Sequence, residues 1–205
     1  STLDRMREQA RIDGLTGLGN RAALDECLAE KNSDWEKEGI GFSLAILDLD
    51  HFKEINDQHG HRFGDEILSA AAGAFARISR PCDRLFRYGG DEFVIILPNT
   101  NVKQAEIFAN RLKSSFIAQM KLCQGADSTT IQCVSASIGV SAFEKSDTNE
   151  ADALVRADTL LYQAKNAGKD AGKEMPCWPA FQRAPQNPGK KSKNAIFASF
   201  PNSPS

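Results

Sequence analysis

Short apolar runs separated by longer stretches of helical period set the rhythm of this chain. Phe42 to Asp50 reads FSLAILDLD, an apolar run that stops abruptly in carboxylates, as a central strand does at its carboxyl end. A second strand starts at Arg84 and Leu85. Two glycines and two acids follow, then the apolar run Phe93 to Leu97, closed by Pro98-Asn99-Thr100-Asn101. Gly89-Gly90 tolerates the positive φ of a tight two-residue turn, so this region predicts a hairpin. The β-branched stretch Ile131 to Phe143 predicts a return through the same sheet.

Helical spacing predicts four further elements. Arg21 to about Glu30 presents Ala23, Leu24, Cys27 and Leu28 on one side, and Asn32 to Gly41 is polar enough for a loop. A helix reaching about Arg80 buries Ile67, Leu68, Ala71, Phe75 and Ile78, with Asp65 near its start. Upstream of it, His51 to Asp65 predicts a polar connection with a turn through Gly60 and Gly64. Val102 to about Leu122 turns Ala105, Phe108, Ala109, Leu112 and Phe116 inward. Glu150 to about Ala167 carries the stripe Leu154, Ala157, Leu161, Ala164, with Asn149 at its start. Gly14, Gly17 and Gly19 predict an ordered turn, and Gly125 to Thr130 a loop.

The two ends differ from this middle. Leu3, Met6 and Ala10 sit at helical spacing in a charged segment, predicting the end of a longer helix over 1–11. After Met175 come six of the eight prolines, among Asn, Ser and Lys, which predicts a disordered tail over 175–205. One domain over 12–174 remains. Its strands alternate with helices around a hairpin, so the expected class is α/β (α+β), with a ferredoxin-like, partly antiparallel sheet flanked by helices.

Composition narrows the function. With 41 % hydrophobic and 25 % charged residues the chain is an ordinary globular one. Lys and Arg (25) nearly balance Asp and Glu (27), which argues against nucleic acid or a membrane surface as partner. No apolar run approaches the roughly 20 residues of a membrane span, and no signal-peptide pattern opens the chain. The five cysteines are scattered without a Cys-x-x-Cys pair, so reduced thiols and a cytoplasmic location are expected. His51, His59 and His61 lack partners at metal-ligand spacing.

The carboxylates carry the chemistry. Alternation puts Asp48 and Asp50 on one face with Phe42, Leu44 and Ile46, where an ionised acid is costly unless a cation or donor meets it. Asp91 and Glu92 stand at the hairpin tip, beside glycines that let a ligand lie against the backbone. If the strands are neighbours, Asp48 and Asp91 converge, and such hard oxygen donors suit Mg²⁺ or Mn²⁺. Lys165 and Lys169, four apart, can face one anion or simply complement the helix C-terminus.

Four stretches together resemble the GGDEF family of diguanylate cyclase domains. They are RYGGDEF from Arg87; Asp13 to Arg21, which fits D-x-L-T-x-L-x-N-R; Asp48 to Asp65; and Ala157 to Lys169. The resemblance covers about residues 12 to 170, with two departures: Lys169 where arginine is usual, and Asp170 where asparagine is usual. It implies a palm-type fold of the kind nucleotide cyclases use. It also implies that two GTP condense to cyclic di-GMP and two pyrophosphates in a homodimer, because one domain holds one GTP. By the same resemblance Asp48, the carbonyl of Leu49 and Asp91 hold the metal, with Glu92 as a further catalytic acid or proton acceptor. Phe52, Lys53, Asn56, Asp65, Gly89, Gly90, Lys165 and Lys169 bind substrate, Asn56 and Asp65 reading guanine. Arg80-x-x-Asp83, with Arg87, matches an inhibitory product site. The segment before residue 12 is where relatives pass on a signal from upstream, and an absent segment there could anchor the full protein to a membrane. The alternative is a catalytically silent module that binds GTP or cyclic di-GMP; the intact Asp48, Asp91 and Glu92 argue against it.

Overall fold

The structure, a computed structural model, describes residues 10–123, 134–144, 147, 150–170, 182–183 and 195–199. In chain order the elements are α1 (Arg21–Glu38), β1 (Phe42–Leu49), α2 (Phe52–His59), α3 (His61–Ile78), β2 (Arg84–Arg87) and β3 (Glu92–Pro98). Then come α4 (Val102–Cys123), β4 (Ala136–Ala142), α5 (Glu150–Asp170), β5 (Gln182–Arg183) and β6 (Ala195–Ser199). The strands form one sheet in the order β2-β3-β1-β4-β6-β5, and every ladder in it is antiparallel. This is the expected mixed α+β class.

β1 is central because both of its faces are apolar. Ala45, Leu47 and Leu49 join a core with Ile67 and Phe75 of α3 and Leu112 and Phe116 of α4. Phe42, Leu44 and Ile46 face a second core with Leu24 and Leu28 of α1 and Ala157 and Leu161 of α5. All eight residues are buried, which explains an apolar run without alternation even in an antiparallel sheet. Register runs from Phe42↔Pro98 to Asp48↔Glu92 on one side and from Ser43↔Ala142 to Leu49↔Ala136 on the other. The acidic ends of β1 and β3 therefore meet. On the far side α5 crosses β4 backbone against backbone: a Cβ on Gly139 would lie 2.1 Å from the carbonyl oxygen of Ala157.

Four differences from the sequence expectations have physical causes. α1 continues through the polar stretch to Glu38, anchored by Trp35 edge-on to Phe143 at 5.6 Å and stopped by Gly39 at φ +67°. His51 to Asp65 is mostly helical: α2 and α3 break at Gly60, φ +85°, while Gly64 lies buried inside α3. Asp65 consequently caps nothing, since α3 begins at His61. The hairpin is not a two-residue turn either. Its last pair is Arg87↔Phe93, leaving 88–92 to turn the chain, and neither Gly89 nor Gly90 has positive φ. Finally, Ala195–Ser199 pairs with β4 from Ser137↔Ser199 to Ser141↔Ala195, where no strand was expected after Met175. The short apolar run there is hidden by the tail's average composition, and it covers an edge of β4 that would otherwise be open. The expected lead-in helix at Leu3 and Met6, the loop Gly125 to Thr130, the start of α5 at Asn149 and most of 175–205 lie outside the described residues. Among the described residues no helix is long and apolar enough to cross a membrane.

Candidate active site

The site grows from the carboxyl end of β1. Asp48 is 6 % exposed, with Glu92 opposite it on β3 and Ser137 opposite it on β4. The Leu49 amide donates to the Asp91 carbonyl at 3.2 Å, which ties the hairpin tip to the strand end. Lys165 of α5 reaches over this end, and its Nζ lies 2.7 Å from Asp48 Oδ2. Burial pushes the Asp48 carboxyl up to about 6; the contact with Lys165 opposes this, and the charges of Asp91 and Glu92 add to it. The structure thus brings Asp48, Leu49, Asp91, Glu92 and Lys165 to one end of the sheet, with Lys165 paired to Asp48 where the sequence reading had it facing an anion. Lys169 lies on the last turn of α5, with its side chain outside the described residues.

The hairpin tip is braced from behind. Arg87 donates from Nε and Nη2 to the Gly90 carbonyl at 3.1 and 2.8 Å. Its Nη1 reaches both oxygens of Asp13 at 3.3 Å. Burial alone would raise the Asp13 carboxyl, but the hydroxyl and amide of Thr16, with Arg87, hold it below its ordinary value. The Gly19 segment runs along β2, with the Gly19 amide donating to the Leu85 carbonyl at 3.0 Å and the Arg87 amide to the Gly19 carbonyl at 2.8 Å. Arg21 stacks over Tyr88, 4.8 Å from the ring centre. A Cβ on Gly89 would sit 2.9 Å from Glu92 Oε2, the far end of a side chain that can swing aside, so neither this contact nor a positive φ by itself demands glycine there.

A second corner lies where α2 meets α3. Phe52 is half-buried against the core, and Lys53 is exposed. Asn56 Oδ1 is buried with no hydrogen-bond partner, and Gly64 leaves room for it: a Cβ there would lie 1.9 Å from that oxygen. Asp65 stands exposed one residue further along α3. An orphaned acceptor beside an exposed carboxylate is a place for a ligand that brings N–H donors.

The other predicted residues are placed differently. Asp83 is buried, and its Oδ2 accepts from the Arg80 amide at 2.7 Å, closing the Pro81 turn upon itself, while Arg80 is exposed. No hydrogen bond among the described residues joins Arg87 to Arg80 or Asp83, because its guanidinium is committed to Gly90 and Asp13. Sequence reading missed two residues, Ser135 and Ser137, whose hydroxyls donate to Asp50 Oδ2 and Oδ1 at 2.7 Å each. Nothing in a single sequence pairs them with Asp50; only the register of β1 with β4 does.

An antiparallel α+β sheet, covered by helices on both faces and carrying buried acid at a strand end beside an acidic hairpin tip, defines a palm-type domain. The chain belongs to the family "Diguanylate cyclase, GGDEF domain", which matches residues 10–171. It is 41 % identical over 170 residues to diguanylate cyclase DgcP of Pseudomonas aeruginosa, covering 83 % of this chain and 25 % of that protein. It is 36 % identical over 169 residues to diguanylate cyclase VdcA of Vibrio cholerae, covering 82 % of this chain and 48 % of that protein. The chain thus spans between a quarter and about half the length of these relatives. The crystal structure of the coiled coil and GGDEF domain of DgcB from Caulobacter crescentus, in complex with c-di-GMP, is similar at TM-score 0.74 and 30 % identity. That match covers 82 % of this chain and 86 % of the other.

Proposed function

We propose that this chain is a diguanylate cyclase, with residues 12–174 as the catalytic unit, 1–11 as the end of a signalling helix and 175–205 as an extension of open role. The observation that carries the reading is the buried Asp48 carboxylate, crowded by Asp91 and Glu92 and paired with Lys165. In the reaction the 3′-hydroxyl oxygen of each GTP forms a bond to the α-phosphorus of the other. The bond from that phosphorus to the α–β bridging oxygen breaks, pyrophosphate leaves, and each hydroxyl gives up its proton. Glu92, whose carboxylate lies against the glycine turn, is the acceptor for that proton. Lys53, Lys165 and Lys169 neutralise the triphosphate. Asn56 offers its unpaired oxygen to the guanine amino group while Asp65 accepts from the ring N–H.

Among the described residues no three acidic, histidine or cysteine side chains form a metal-ligating cluster. The donor set nevertheless fits a hard cation that keeps positions for water and phosphate, because the charges of Asp91 and Glu92 crowd the Asp48 carboxylate and call for positive charge. Asp48, Asp91 and the Leu49 carbonyl would hold Mg²⁺ or Mn²⁺, which when bound supplies the charge that stabilises the reacting phosphate. Each chain binds one GTP, so two chains face each other as a homodimer. Arg80 and Asp83 bind the product and restrain turnover, while Arg87 stays committed to the hairpin tip and Asp13.

The test is to incubate the full chain with GTP and Mg²⁺ and identify products by chromatography with mass detection, beside Asp91→Ala. Cyclic di-GMP from the parent and none from the variant is expected. GTP binding without turnover, even when the chain is fused to a dimeric coiled coil, overturns the reading and leaves a silent binding module.

A further inference from the structure

Asp50 shares a strand face with Asp48 yet is held quite differently. Register continues past the end of β1 by one rung, the Asp50 amide donating to the Ser135 carbonyl at 2.8 Å. Ser137 lies opposite Asp48, but its hydroxyl reaches diagonally to Asp50 Oδ1. The Ser135 hydroxyl takes Asp50 Oδ2, so both carboxylate oxygens are satisfied by β4. Ser137 is 1 % and Ser135 8 % exposed, so little water competes for these bonds.

Two consequences follow for the neighbouring atoms. The peptide that carries the Leu49 carbonyl is secured at both ends, by Leu49 to the Asp91 carbonyl and by Asp50 to Ser135. The next residue, His51, has φ +58°, a left-handed conformation that is unfavourable for a non-glycine residue and persists only where surrounding contacts hold it. It is bracketed by the Asp50 bonds on one side and by the Ile55 amide, which donates to the His51 carbonyl at 3.0 Å, on the other. The Asp50 bonds also engage both serine hydroxyl protons, so neither serine donates to Asp48.

We infer that Ser135 and Ser137, acting through the Asp50 carboxylate, are positioning residues that aim the Leu49 carbonyl and the Asp48 carboxylate at the metal-nucleotide site. This rests on the cyclase reading of that site. Asp50 is the anchor and Asp48 the ligand, although the two look alike in sequence. Groups that orient metal ligands typically change metal affinity 10- to 100-fold when removed.

The experiment titrates Mn²⁺ into the full chain with a non-hydrolysable GTP analogue, following free Mn²⁺ by electron paramagnetic resonance. Thermal melts without metal establish that each variant folds. The Ser135→Ala/Ser137→Ala double variant and Asp50→Ala are expected to bind Mn²⁺ about tenfold more weakly. Asp50→Asn is expected to stay close to the parent, since its amide accepts from one serine hydroxyl and donates to the other. If the double variant does not fold, Ser135→Ala alone carries the comparison. Parental Mn²⁺ affinity in Asp50→Ala and the serine variants overturns the inference. So does Asp50→Asn as weak as Asp50→Ala, which would make Asp50 a ligand through its charge. Because binding is read directly, a parent that binds Mn²⁺ with the analogue but makes no cyclic di-GMP sinks the cyclase reading alone.

Discussion

Asp48 shows how a single residue can be kept where it weakens the fold. Its carboxyl is raised from the ordinary 3.8 to about 6, chiefly by burial. The folded chain therefore holds this proton more tightly than the unfolded one. The contribution to stability is full below pH 3.8 and is lost as pH rises toward 6. Asp48→Asn removes that penalty at the cost of the Lys165 pair. In metal-free protein at pH 7 we expect a gain on the order of 1 kcal/mol in a thermal melt, with cyclic di-GMP no longer detected by chromatography. Asp13 shifts the other way. Its depressed pKa adds stability above the ordinary 3.8 that is lost as pH falls through the lower folded value. Asp13→Asn should thus destabilise the chain at pH 7 by about 1 kcal/mol, and the gap to the parent should close in acid denaturation. Gly64→Ala is the third single-residue case. Helix propensity alone predicts a gain of about 1 kcal/mol. The new methyl would instead lie 1.9 Å from Asn56 Oδ1, so a net loss in urea unfolding and weaker GTP binding are expected.

Among the elements, the hairpin and the α5–β4 crossing do the most to place the site. The hairpin tip is held by Arg87 through Gly90 and Asp13, so the glycine-rich segment before α1 touches the acidic turn without belonging to the sheet proper. Arg87→Ala should leave the sheet folded but loosen the turn. Its signature is a fall in kcat out of proportion to a small drop in melting temperature, read in steady-state GTP turnover beside a thermal melt. The crossing depends on Gly139. A Cβ there would meet backbone at 2.1 Å and at 2.6 Å, and backbone cannot swing away as a flexible side chain can. Gly139→Ala is expected to cost roughly 3 kcal/mol or more in urea unfolding, and to move Lys165 off Asp48.

The molecule as a whole places one sheet between two helical layers and sets the acids of the site at one end of β1 and β3. One such unit offers one nucleotide site, so the proposed reaction needs two chains. At concentrations below dimer formation, the rate of cyclic di-GMP appearance should rise with the square of chain concentration and become linear once dimers predominate. A rate linear throughout would remove the homodimer from the mechanism. Much of this plan was readable beforehand. The strand FSLAILDLD, the acidic pair after two glycines and the lysine on the last helix each carry a local pattern strong enough to name their element. The polar half of α1 and the helical stretch after His51 were not readable. Their helicity comes from Trp35 on Phe143 and from the α2–α3 packing around Gly64, not from an apolar stripe.

By itself the sequence determined the identity of the acids, glycines and lysines, the central strand and the class of the fold, because hydrophobic period and side-chain chemistry are local properties. Only the tertiary structure decided which of those groups meet. Pairing of β1 with β3 and β4 set Asp48 between Glu92 and Ser137 and handed both serine hydroxyls to Asp50. Packing of α5 across Gly139 laid Lys165 on Asp48, and the turn at 88–92 drew Arg87 back to Asp13. These contacts join residues 44 to 117 positions apart, and no periodicity along one chain encodes a partner at that distance.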